Sequence, residues 1–131
     1  MLRVPSSLPP DVEGLVQEII GCAIEVHRHL GPGFLESIYV KALGLELQAR
    51  GLAFEREKPI VVSYRNWEIP GQRIDLLVGG AVVVEVKAVQ QLDRIHEARL
   101  ISYLKTTGLR VGLLLNFNCV TLTAGLRRIV L

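Results

Sequence analysis

The sequence predicts an α/β domain, a central mixed β-sheet flanked by helices, in the order α-α-β-β-β-α-β-β. Three observations predict it. Two stretches before Gly51 repeat apolar residues at helical spacing. From residue 52 to 89, short runs rich in β-branched residues are punctuated by Arg-Asn, Pro-Gly and Gly-Gly. A third helical stretch then joins one apolar strand to another, so the later strand is expected to run parallel to a strand of the same sheet.

Residues 1–10 carry three prolines and two serines and are expected to form a flexible arm ahead of a single domain over 11–131. Asp11 is a suitable cap for a helix over 12–30. Its stripe is Val12, Leu15, Val16, Ile19, Ile20, Ala23, Val26 (or His27) and Leu30. His27 and His29 point to different sides of that helix, which argues against a shared metal. One is expected to pack at the helix edge and the other to face water. A second helix is expected from about Phe34 to Arg50, with Leu35, Ile38, Tyr39, Ala42, Leu43, Leu45 (or Glu46) and Leu47 on its apolar face. Glu36 falls in its first turn. It either complements the helix dipole or aims a carboxylate at a nearby site.

Strands follow at 52–64, interrupted near Lys58-Pro59, and at 67–78, bent at Pro70-Gly71. Gly79-Gly80 turns the chain into Ala81–Val89, whose valine run suggests burial on both faces. Asp93 is a plausible cap and Gly108 a plausible end for the third helix. Val111–Phe117 is a further apolar strand, and Arg127–Leu131 closes an edge.

Half of the 131 residues are apolar and the net charge is +2. That composition excludes a disordered chain and permits nucleic-acid binding without demanding it. Cys22 and Cys119 lack metal-like spacing and read as buried free thiols of a reducing compartment. No apolar run approaches the ~18 residues of a membrane span. The opening residues are too poor in apolar length for a secretory signal, so a cytoplasmic location away from membranes is expected.

The hairpin at 73–88 holds the informative charges: Asp75 on one strand, Glu85 and Lys87 on the next. Charged groups in such apolar company must be paired or hold a cation. Two carboxylates about 4 Å apart repel by roughly 4 kcal/mol at an effective dielectric near 20. Protonation of one acid, a recruited cation, or neutralisation by Lys87 and a neighbour relieves that repulsion, and a hard divalent cation with oxygen ligands, Mg²⁺ above all, fits such a site. Register decides whether they meet. A two-residue turn pairs Val78 with Ala81 and sets Asp75 against Val84. A three-residue loop pairs Val78 with Val82 and sets Asp75 against Glu85. The metal reading requires the second register or a bend near Asp75. The alternative is an edge ladder of salt bridges, with Asp75 paired to Arg73.

Asp75, nine intervening residues, then Glu85-Val86-Lys87 resembles the PD-(D/E)XK nuclease superfamily, and more specifically its GxxExxY family. The naming motif stands as Gly33-Phe34-Leu35-Glu36-Ser37-Ile38-Tyr39, flanked by IEVHRHLGPG and followed by RIDLLV, VEVKA, HEARLISYLK and GLLLNF. The resemblance implies a restriction-endonuclease-like core. It implies a Mg²⁺ (or Mn²⁺) bound by Asp75, Glu85 and the main-chain carbonyl of Val86, with Lys87 catalytic and Glu36 brought to the site. Tyr39, one turn on, either lines the site or packs. The implied substrate is DNA. A core this small, with no recognisable helix-turn-helix, zinc finger or basic tail to grip a duplex, is expected to act as a homodimer that meets both strands, or else with a partner.

Two departures matter. The proline before the first acid is absent, with Ile74 in its place, which costs little because many relatives lack it too. Where relatives often place a glutamine, the third helix has Arg99. An arginine there binds phosphate, or pairs with Glu85 or Glu36 and takes the cation's place. The second outcome implies a nuclease-fold module that binds nucleic acid or protein without cutting.

Overall fold

A computed structural model describes residues 7–131. Most of the expected arm therefore lies outside the described residues. Within its described part, Leu8 is buried against the core and the first helix begins at Pro10.

The elements are α1 (Pro10–Leu30), α2 (Glu36–Ala49), β1 (Phe54–Tyr64), β2 (Trp67–Val78), β3 (Val82–Lys87), α3 (Arg94–Thr107), β4 (Val111–Asn116) and β5 (Leu126–Val130). A single 3-10 turn, Leu122–Gly125, precedes β5. The observed order is the one the sequence predicts. The strands form one mixed sheet in the order β1-β2-β3-β4-β5. β3 and β4, joined through α3, run parallel, and the other neighbours are antiparallel.

The sheet is apolar on both faces. α1 and α2 cover one face, where Val16, Ile19, Leu43 and Leu47 pack on Leu76, Val84 and Leu113. α3 covers the other, where Leu100, Tyr103 and Leu104 meet Ile60, Ile74, Val83 and Leu114. The valine run of β3 thus has a core on either side.

Several local expectations shift. Asp11 is not the cap of α1. Pro9 holds that position, and Pro10, with its φ already suited to a helix and no N–H to satisfy, takes the first turn. On α2 the buried residues are Tyr39, Leu43, Gly44 and Leu47, whereas Leu35, Ile38 and Leu45 of the expected apolar face are exposed. Asp93 does cap α3, and the His96 Nδ1 accepts its backbone N–H at 2.9 Å. Gly108 ends α3 in a left-handed conformation, φ 75°. β1 is continuous through Pro59, which its place at the sheet edge allows. Pro70-Gly71 bulges β2, where the register with β1 shifts between Ile60 and Val62.

The Gly79-Gly80 hairpin takes the three-residue loop. Val78 pairs with Val82, Leu77 with Val83 and Leu76 with Val84. Both glycines have positive φ, 60° and 66°, a conformation costly for other residues.

Candidate active site

The β2–β3 ladder stops at Leu76–Val84, while β3 stays paired with β4 as far as Lys87. β2 bends where the ladder stops. Ile74 packs on the α3 face, but Leu76 and Val78 pack on the α1/α2 face, so the two-residue alternation breaks at Asp75. The facing residue of β1, Glu57, has φ 49° and drops out of the pairing.

Parting strands leave backbone N–H groups without carbonyl partners. The two acids supply them. The Asp75 N–H donates to Glu85 Oε1 at 3.0 Å, and the Val86 N–H donates to Asp75 Oδ2 at 2.9 Å. Each carboxylate therefore caps the other strand. Because N–H and C=O of one strand residue leave by the same edge, the Val86 carbonyl points toward β2 as well. Lys87 faces the opposite way, its carbonyl accepting the Phe117 N–H at 2.9 Å.

The electrostatics follow from burial. Glu85 is 4% exposed. Burial, and then the charge of Asp75, push its pKa up to about 7. Burial also raises Asp75, against the opposing pull of the Val86 N–H and Lys87. The Lys87 ammonium lies 3.6 Å from Glu36 at the start of α2. Glu36, Ser37, Arg56, Glu57 and Asp75 line a cleft of about 230 Å³. The structure thus brings Glu36, Asp75, Glu85 and Lys87 into one neighbourhood.

Tyr39 and Arg99 are placed otherwise. Tyr39 is fully buried. Its hydroxyl donates to the Gly31 carbonyl at 2.6 Å and accepts the Phe34 N–H at 3.1 Å, and its ring stacks on Phe117 with centroids 4.6 Å apart. It staples the loop between α1 and α2. Arg99 is exposed on α3 and, among the described residues, pairs with none of the acids within 4.0 Å. It does not occupy the place of a cation. His27 packs at the helix edge with Nε2 2.7 Å from the Cys119 carbonyl, while His29 is exposed beside Glu25. Cys22 is buried, but Cys119 is only half-buried.

Sequence reasoning missed two neighbours. Tyr103 is 3% exposed, and burial and the charge of Glu85 raise its pKa. Its oxygen accepts a hydrogen bond from Gln72 Nε2 at 2.7 Å. No spacing in the sequence singles Tyr103 out, and only the docking of α3 onto the sheet brings it near Glu85. Asn116 is buried at the end of β4 and holds Val89 by two bonds, 3.0 Å from the Val89 N–H and 2.9 Å to its carbonyl. That clamp fixes the exit of β3 just beyond Lys87.

Residues 13–129 match the PD-(D/E)XK nuclease superfamily. The chain belongs to that superfamily. The mixed sheet with helices on both faces is its restriction-endonuclease-like fold. Comparison with curated proteins and with solved structures finds no match. PD-(D/E)XK nucleases typically use divalent metals, so the donor set can be tested for one. Asp75 and Glu85 each spend one oxygen on a backbone N–H and keep the other. With the Val86 carbonyl they make three hard oxygen donors, a set suited to a cation that keeps several waters. Among the described residues no three His, Cys, Asp or Glu side chains cluster to hold a metal. Among the described residues no helix is long and apolar enough to cross a membrane.

Proposed function

We propose that this chain is a Mg²⁺-dependent nuclease of the GxxExxY type that hydrolyses DNA phosphodiester bonds as a homodimer in the cytoplasm. One observation carries the proposal. Where β2 and β3 part, Asp75 and Glu85 exchange hydrogen bonds with the facing strand, directing two carboxylates and the Val86 carbonyl to one edge. Asp75, Glu85 and Val86 hold the cation, with Mn²⁺ as its substitute. When bound, it supplies charge neutralisation at the phosphoryl oxygens and acidifies an attacking water. Lys87, at the same strand end, orients that water and donates to the developing negative charge. Glu36 holds the Lys87 ammonium in place from α2. Arg99, exposed on α3 one turn from Tyr103, is available to a phosphate of the substrate.

A second reading, a nuclease fold that binds nucleic acid or protein without cutting, draws support from a different observation. Glu85 is buried beside Asp75, which pushes its pKa up to about 7 and opposes the charged form a cation needs, while its Oε1 already accepts the Asp75 N–H and so completes the fold without one. Calorimetry and cleavage separate the two. The nuclease reading expects Mg²⁺ or Mn²⁺ to bind the native chain, DNA cleavage to require the cation and stop with chelator, and Asp75→Asn and Lys87→Ala to abolish cleavage. Salt-sensitive DNA binding with no cation binding and no cleavage would overturn it in favour of the second reading.

A further inference from the structure

Helix α2 is apolar on two sides. Tyr39, Leu43 and Leu47 face the core. On the other side Ile38 and Leu45 are 43% and 60% exposed, and Leu35, which precedes the helix in extended backbone, is 75% exposed. Helices that are apolar all round are ordinarily buried all round. With the exposed Ala49, and with Ala42, which is partly buried against the core at the edge of the stripe, these positions recur at alternating steps of three and four, the spacing of a coiled-coil seam. Isolated exposed leucines need no explanation, but a contiguous stripe of them does.

The flanks say what covers it. At 100° per residue, Lys41 lies on one side of the stripe and Glu46 on the other, in heptad positions g and the following e. Across a parallel pair of identical helices, g of each chain meets that e of the other, so one lysine and one glutamate make two ion pairs. Among the described residues neither Lys41 nor Glu46 forms an ion pair within its own chain. In an antiparallel pair the g positions meet each other and the e positions meet each other, and the complementarity is lost.

We propose that α2 is the surface on which two copies of this chain pair. The two helices lie parallel about a two-fold axis, with Ile38 and Leu45 each against the same residue of the other copy and Lys41 against the partner's Glu46. This rests on the homodimer reading above and adds the face and the direction. The direction has a consequence for function. Glu36 opens α2 and reaches Lys87, so a parallel pair sets both sites at the same end of the helices, open to one duplex. An antiparallel pair would set them about 20 Å apart at opposite ends, given ~1.5 Å of rise per residue.

Sedimentation of the native chain, compared with variants, tests the proposal. The native chain should be dimeric. Leu45→Glu and Ile38→Glu should each weaken the dimer by about tenfold or more, with circular dichroism unchanged because both side chains are exposed. Lys41→Glu should weaken it, and Lys41→Glu combined with Glu46→Lys should restore it. In a Cys119→Ser background, Ile38→Cys and Leu45→Cys should each form a disulfide between copies on mild oxidation, since only a parallel seam brings both positions to themselves. A dimer indifferent to both glutamates would overturn α2 as the interface and leave the homodimer reading standing. A monomeric native chain, with α2 covered by some other partner, would overturn both. Loss of the dimer in Leu45→Glu, without rescue by the charge swap and without the disulfides, would overturn the parallel arrangement.

Discussion

Replacing Glu85 by glutamine should make stability depend on pH in a way that isolates this one carboxyl. Its pKa is raised from 4.5 to about 7, chiefly by burial and then by Asp75. That difference corresponds to about 3 kcal/mol of preference for the neutral form. Because the folded pKa lies above the unfolded one, the favourable contribution is fully present below about pH 4.5, where Glu85 is neutral in both states. It is lost as pH rises through about 7, where the folded chain must hold a buried charge that the unfolded chain carries in water. Glu85→Gln keeps an oxygen to accept the Asp75 N–H and cannot ionise. Native and variant should therefore have equal stability near about pH 4, with the variant pulling ahead by about 3 kcal/mol above about pH 8. Urea unfolding in chelator reads this directly. With a slope of about 1–3 kcal/mol per molar, the midpoints should separate by roughly 1.5 M at the alkaline end. Saturating Mg²⁺ should shrink the gap, because a cation stabilises the native carboxylate and not the amide. A gap that is the same at every pH would refute the claim that burial and Asp75 hold Glu85 neutral.

Arg99→Gln should leave cation binding unchanged by calorimetry, since Arg99 is exposed and holds none of the acids. A large gain in binding would show that the arginine swings onto them in solution. Tyr39→Phe should cost about 1–3 kcal/mol in urea unfolding, because the Phe34 N–H and the Gly31 carbonyl lose their shared partner. It should leave cation binding intact, which would separate a stapling tyrosine from one that lines the site.

The order of elements was legible because each signal was local. Helical spacing, the Gly79-Gly80 turn and the glycine after α3 each fix a few neighbouring residues, and all agree with one another. The hairpin register was legible only as a choice between two loops, and the structure takes the three-residue loop. What stayed hidden depends on contacts distant in sequence. The bend at Asp75 needs Glu57 of β1 to leave the ladder with a positive φ, which nothing near either residue signals. Tyr103 reaches the neighbourhood of Glu85 only through the docking of α3. The apolar face of α2 was drawn too wide for a different reason, with Tyr39, Leu43 and Leu47 meeting the core and Leu35, Ile38 and Leu45 left exposed. Its residues are apolar on both sides, so periodicity alone could not say which side meets the sheet.

The carboxylate exchange also decides how this site should be probed. Asp75 and Glu85 are at once candidate cation ligands and the acceptors that complete the backbone where two strands part. Asp75→Ala removes a candidate ligand and also strands the N–H of Val86, a fully buried residue, at a cost of about 1–3 kcal/mol. An inactive alanine variant would then be ambiguous between lost chemistry and a loosened β3. Asp75→Asn keeps an oxygen for that N–H and gives up the negative charge. If the charge matters for binding a cation and the oxygen for holding the strand, the two variants should divide. Both should lose the cation, and only the alanine should lose stability. Equal stability for the two would mean that the Val86 N–H finds another acceptor. The parting of β2 and β3 would then not depend on Asp75, and the site's geometry would be set by the Asn116 clamp at the far end of β3.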